Sequence, residues 1–179
     1  MKSRTLDLGS GRHPKNPFNA DEVVGIDIVE SPSSNVLAVD LSISDIPFQD
    51  NYFDFCSAFD FLEHVPRLVY APSRRFSFVQ LMNEVYRVLK PGGLFVAFTP
   101  CYPSQFAFSD PTHTNFLTIE TMPNYFSGTN PAARMYGFTG NFELLINQWH
   151  DWNSWPISVQ DGIAKPSNTH ILTVLRRLP

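Results

Sequence analysis

The sequence predicts an α/β fold: a doubly wound, mostly parallel seven-stranded sheet closed by an antiparallel C-terminal hairpin. Three observations carry that expectation. Five short apolar segments follow one another from Thr5 to Phe98, and the first four end at glycine or aspartate or give way to a polar connection. One amphipathic segment between the fourth and fifth has a helical period and stops at Lys90-Pro91-Gly92-Gly93. The last two apolar segments are joined by a proline-containing stretch too poor in helix signals to form a crossover, so they must pair antiparallel. An α/β sheet of this kind carries its site at the carboxyl ends of the parallel strands.

The first strand is Thr5 to Leu8, ended by Gly9-Ser10-Gly11. Residues Arg12 to Asp21 contain Pro14 and Pro17 and lack helical periodicity, so at most a turn of helix is expected there. Val23 to Asp27 reads as a second strand, continuous and apolar as a buried parallel strand should be, and Val36 to Asp40 as a third. Tyr52 to Phe59 forms the fourth. A helix capped by Ser73 follows, its buried stripe running through Phe78, Met82, Val85 and Leu89, with Leu81 and Tyr86 widening it. Leu94 to Phe98 is the fifth strand. A loop-rich stretch reaches Gly140 with one short helix from near Thr118 to about Phe126; Phe142 to Trp152 and His170 to Leu178 close the sheet.

At 179 residues the chain suits one domain, 1–179, with enough apolar material for a two-faced sheet. A formal charge of −4 speaks against a nucleic-acid partner, because phosphate binding needs a basic surface that releases counterions. Two cysteines far apart in apolar context, Cys56 and Cys101, read as reduced core thiols and point to the cytoplasm. No run approaches the length of a membrane helix, and Met1 to Arg4 has no signal-peptide character.

The glycine turn after the first strand lets backbone approach a bound nucleoside without interference from a Cβ atom. Asp27, at the end of the second strand, is placed to accept hydrogen bonds from ribose hydroxyls. A dinucleotide would also need a third glycine and a well-formed helix facing its pyrophosphate; the sequence has Pro14 and barely a helix there, which counts against NAD.

Leu6-Asp7-Leu8-Gly9-Ser10-Gly11 resembles the first motif of class I S-adenosylmethionine-dependent methyltransferases, and Val24-Gly25-Ile26-Asp27 their second-strand acidic motif. Asp40-Leu41 with Ile46-Pro47-Phe48 and Phe53-Asp54, Leu62-Glu63-His64, and Glu84 through Gly93 are similar to the further motifs of the small-molecule, type 11 branch, in the same order. The resemblance implies a Rossmann-like methyltransferase fold with S-adenosylmethionine as cofactor. It implies that Gly9 and Gly11 contact the methionine moiety, with Asp7 supporting their loop or the ammonium. Asp27 would hold the ribose, Ile28 would pack on adenine, and Asp40 and Leu41 would meet the adenine edge. Phe59 and Asp60 would lie beside the methionine portion, and His64 near the methyl group or acceptor. Two departures stand out: the third glycine is His13, and the usual N-terminal helices have no counterpart.

An oxygen acceptor benefits from a base near neutral pH, which favours His64 and His113 as catalytic candidates. His113 lies in Ser109-Asp110-Pro111-Thr112-His113, similar to a loop segment of this family. Asp110, His113 and His64 could together hold a divalent ion, but their spacing fits no ligand pattern, so no metal is expected. Tyr102, Phe106, Phe108 and Phe116 are expected mostly in the core, with one or two beside the acceptor, while His150 and His170 have no role. The expected activity is methyl transfer to a small-molecule acceptor, with a sugar or glycan precursor suggested by a subgroup sharing the compact first turn. The alternatives are a non-catalytic S-adenosylmethionine-binding module and an NAD-dependent oxidoreductase. No nucleic-acid or membrane partner is expected; a homodimer is left open.

Overall fold

In the computed structural model the described residues are 2–70, 73–151 and 169–179. They form one seven-stranded sheet in the order β3-β2-β1-β4-β5-β7-β6. The strands are β1 (Arg4–Leu8), β2 (Glu22–Asp27), β3 (Val36–Ala38), β4 (Phe53–Phe59), β5 (Leu89–Pro100), β6 (Phe142–His150) and β7 (His170–Arg177). Strands β1 to β5 pair in parallel. The last strand, β7, is antiparallel to both β5 and β6 and lies between them. The closing hairpin is therefore present, and its second strand is inserted into the sheet rather than added at the edge.

From β1 the chain runs outward through β2 and β3, then returns to place β4 on the other side of β1. This reversal opens a crevice beyond the carboxyl ends of β1 and β4, where ligands bind in open α/β sheets.

One face of the sheet packs against α1 (Ser77–Val88) through Phe78, Leu81, Met82, Val85 and Val88, all buried. These meet Cys56 and Ala58 of β4 and Phe95 and Ala97 of β5, the period-two partners on that face. The opposite face carries Phe59, Val96, Phe98, Leu172 and Val174, with Phe18 and Ile146 packed against them. Phe18 also stacks on Phe55 at 4.4 Å between ring centroids. The first crossover thus covers its sheet face with a loop: no helix stands between β1 and β2, in line with the two prolines there.

Some boundaries differ from expectation. The long helix begins at Ser77, and no side chain caps it. Ser73 cannot cap it because Val69 and Arg75 exchange two backbone hydrogen bonds of 2.9 Å, holding the chain extended up to the helix. Leu89 begins β5 instead of ending the helix, and the Lys90–Gly93 turn is absorbed as an irregularity where β5 pairs with β4. The short helix α3 spans Thr121–Phe126, and a further turn, α2, spans Phe106–Ser109. Trp152, Trp155 and the connection between β6 and β7 lie outside the described residues.

Both cysteines are free and buried, and burial pushes the Cys101 thiol up to about 12. Among the described residues no helix is long and apolar enough to cross a membrane.

Charge organises the loop before β4. Arg87 donates to the carbonyls of Ile46 and Phe48 and to the carboxylates of Glu84 and Asp50. Glu84 also accepts the Ile46 N–H at 2.9 Å. The Glu84 and Arg87 pair of the helix therefore clamps the Ile46-Pro47-Phe48 segment.

Candidate functional site

The floor of the crevice begins where β1 ends. Gly9 has φ +64, and a Cβ on it would stand 2.3 Å from the Phe61 ring, so glycine is required on both counts. The N–H groups of Gly9 and Ser10 donate to the Ile26 carbonyl, which folds the turn onto β2. A Cβ on Gly25 would collide with Ser10 and Pro14, so β2 is bare where the loop crosses it. Gly11 donates its N–H to Asp27 Oδ2 at 2.8 Å, while Asp27 Oδ1 accepts the Ile28 N–H at 2.8 Å. The carboxylate at the end of β2 is thus oriented by the first glycine loop.

Asp7 is fully buried beneath this loop. It accepts the Lys15 N–H at 2.7 Å and the Ser57 hydroxyl at 2.6 Å, tying loop, β1 and β4 together. Burial raises its carboxyl to about 6, against the opposing pull of those hydrogen bonds.

A cavity of about 510 Å³ opens above these elements. Gly9, Asp27, Ile28, Asp40, Leu41 and Asp60 line it, as does His64. Asp7, Gly11 and Phe59 do not: Asp7 and Gly11 act on the loop and on Asp27, and Phe59 is buried in the second core cluster with the Lys15 ammonium over its ring. Ile28 is 74% exposed, an apolar surface at the rim. Sequence reasoning did not assign Phe61, Ser42 and Thr112, which also line the cavity. The neighbouring Gly9 was the available signal for Phe61, since a large ring needs a residue without a side chain beneath it.

Charge in this cavity is one-sided. Its lining holds three aspartates, Asp27, Asp40 and Asp60, and no lysine or arginine among the described residues. A pyrophosphate would face carboxylates there, whereas a ligand carrying positive charge and no phosphate would be favoured. Asp60 adopts a left-handed φ of +50 and pairs with His170 Nε2 at 3.1 Å. His170, given no role by sequence, stacks on Phe98 at 4.6 Å and fixes this carboxylate from β7.

The far wall is built from two segments held together by backbone. Thr114 and Asn115 both donate N–H to the Glu63 carbonyl at 2.9 Å, and the Asn115 amide donates to the Leu62 carbonyl. Arg67 donates to Asn115 Oδ1 at 2.8 Å. The loop after β5 is therefore stapled to the turn after β4, bringing His64 and His113 to 4.8 Å between ring centroids. His64 faces the cavity, and His113 is mostly buried behind it. Glu63 is buried beside them, and burial drives its carboxyl up to about 8.

The loop aromatics depart from expectation. Tyr102, Phe106, Phe108 and Phe116 are exposed instead of forming core; Phe108 is 52% exposed and stacks on Phe116. The loop turns Ala107, Asn115 and Leu117 inward instead, because its fold is set by the backbone staple and not by its largest side chains.

Comparison with known proteins agrees with this geometry. Residues 6–97, just over half of the chain, match the family model described as a methyltransferase domain. No curated protein matches the sequence. Among solved structures, a SAM-dependent methyltransferase from Archaeoglobus fulgidus superposes with a TM-score of 0.62 at 17% identity, covering 98% of this chain and 86% of that one. The PH0226 protein of Pyrococcus horikoshii gives 0.60 at 18% identity, covering 99% and 82%. The [4+2]-cyclase SpnF gives 0.58 at 18% identity, covering 99% and 76%. These likenesses establish the Rossmann-like fold. With the family model matched from the first strand to the fifth, the chain belongs to the methyltransferase domain family of type 11, and its cofactor is S-adenosylmethionine.

Proposed function

We propose that this chain transfers the methyl group of S-adenosylmethionine to an oxygen of a small-molecule acceptor, with sugars and glycan precursors the first acceptors to screen. The observation that carries this reading is the crevice at the chain reversal: three carboxylates and no basic side chain on one wall, a histidine on the other. The donor, when bound, supplies an already activated methyl group, so alignment is the main demand on the protein. Asp27 would hold the ribose, Ile28 and Leu41 would flank the adenine, and Asp40 would accept from its amino group. Asp60 and the Gly9 turn would meet the methionine portion. His64, on the cavity wall, would take up the proton released by the acceptor hydroxyl, with His113 behind it. Residues 1–179 would act as one cytoplasmic domain.

A second reading is a non-catalytic S-adenosylmethionine-binding module. The helix-free first crossover favours it, since the loop from Gly9 to Asp21 departs from the usual strand-loop-helix frame. Calorimetric titration with S-adenosylmethionine and S-adenosylhomocysteine tests both readings, and micromolar binding is expected. Product S-adenosylhomocysteine on an acceptor panel then selects transfer, and binding without turnover on every acceptor selects the module. No binding of either nucleoside rejects both.

A further inference from the structure

Behind His64 the structure assembles a set of donor atoms that methyl transfer does not require. Glu63 is 1% exposed, yet neither of its carboxylate oxygens accepts a hydrogen bond from the described residues. A buried carboxylate without partners is costly, and native proteins rarely leave one so. His113 Nε2 lies 4.0 Å from Oε1.

The hydrogen bonds around the two rings decide which nitrogens are free. His113 Nδ1 lies 3.1 Å from the Ala107 carbonyl, which can only accept, so Nδ1 carries the proton. The Thr112 hydroxyl lies 2.6 Å from Asp110 Oδ1 and 3.0 Å from His64 Nδ1. Because the Asp110 carboxylate only accepts, the hydroxyl donates to it and accepts a hydrogen bond from His64 Nδ1–H. With Nδ1 carrying the hydrogen in each ring, Nε2 is the nitrogen that can offer a lone pair. The carboxylate and the rings offer ligand atoms within 4.8 Å of one another. Two imidazole lone pairs and a carboxyl group therefore lie together.

We propose that Glu63, His64 and His113 bind one divalent transition-metal ion, leaving open coordination positions on the cavity side. Two imidazoles and a carboxylate suit Zn²⁺, Mn²⁺, Fe²⁺ or Co²⁺ better than Mg²⁺ or Ca²⁺, which prefer all-oxygen sites. The outer contacts have the form metal-bound histidines use: one ring donates to a backbone carbonyl, the other through a hydroxyl to a carboxylate. From the sequence, Asp110 was weighed with the two histidines and no metal was expected; the structure puts Asp110 behind Thr112 and brings Glu63 to the two rings. The site's consequence for transfer rests on the proposed function: with His64 Nε2 on the ion, the ion takes over that ring's part, and an acceptor hydroxyl bound at an open position would lose its proton to solvent more readily. The binding of the ion does not rest on it.

The test uses the untagged chain stripped with EDTA and titrated with CoCl₂. One equivalent should bind with visible d–d absorption, and ZnCl₂ should displace it and raise the melting temperature. Glu63→Gln and His113→Gln should each weaken binding by about 100-fold, and Asp110→Asn by about 10-fold through Thr112. No saturable absorption, or affinity as high as the parent's in Glu63→Gln and His113→Gln, overturns the proposal. Should those variants fail to fold, the parent chain decides alone: Co²⁺ must displace the ring resonances of His64 and His113 and spare those of His13, and the reverse overturns it. Titration of the metal-free chain with S-adenosylhomocysteine reads the donor site separately, so failure of one reading is distinguishable from failure of the other.

Discussion

Gly11 donates its backbone N–H to Asp27 at 2.8 Å, so the glycine loop after β1 and the carboxylate at the end of β2 form one unit. The same carboxylate is the group proposed to hold the donor ribose. Asp27→Ala should therefore lower affinity for S-adenosylhomocysteine by at least about 30-fold, the loss of two charge-assisted hydrogen bonds, in calorimetric titration. Unchanged affinity would remove Asp27 from the donor site.

The two loop glycines should respond differently to alanine. At Gly9 both the left-handed φ and the Phe61 ring oppose a Cβ; at Gly11, with φ +59, nothing lies within 4 Å. Gly11→Ala should cost about 1 kcal/mol, the left-handed penalty alone. Gly9→Ala should cost more and abolish donor binding, since Phe61 must move into the cavity. Equal effects in urea unfolding and in titration would contradict this packing.

Asp7 supplies a pH dependence whose sign follows from its surroundings. Burial raises its folded-state value from 3.8 to about 6, so the folded chain holds this proton more tightly than the unfolded chain. The stabilisation is complete below about pH 4 and is lost as pH rises through about 6, a change of about 3 kcal/mol. Asp7→Asn keeps an acceptor for Lys15 and should lack this component. Urea unfolding of both proteins from about pH 4 to about pH 7 should give a steeper loss in the parent. Parallel curves would show that Asp7 does not titrate in that window.

Removing the clamp on the Ile46–Phe48 loop should be felt as stability. Arg87→Ala leaves the buried Glu84 without its cation and takes a donor from each of two carbonyls, a loss of about 3 kcal/mol. Replacing Glu84 by Gln in that background should recover part of it, because the stranded charge is gone. Thermal melts of the two proteins would decide, and no recovery would mean the carbonyl contacts carry most of the effect.

Order along the chain was largely legible before the fold was known. Apolar runs ending in glycine or aspartate, one helix-period stripe and a hairpin without a crossover lead to the parallel sheet and its closing strands, because local periodicity reports burial. Helix boundaries were less so: Ser73 has the chemistry of a cap, but a backbone bridge from Val69 to Arg75 denies it the position. Loop burial was misjudged for a related reason. Phe106, Phe108 and Phe116 are apolar enough for a core, but which way a loop faces depends on what its backbone is tied to.

What the sequence by itself determined was the fold class, the family and the identity of the residues nearest the carboxyl ends of β1 and β2. These depend on residues close together in the chain, where the strand, its turn and its terminal carboxylate are a single local signal. Only the tertiary structure decided that β7 lies between β5 and β6, that His170 steadies Asp60, and that Glu63 is buried near His64 and His113 with no hydrogen bond to either carboxylate oxygen from the described residues. Those relations join residues about 50 to 110 positions apart through strand order and loop staples, and side-chain type alone does not specify which distant partner it will meet.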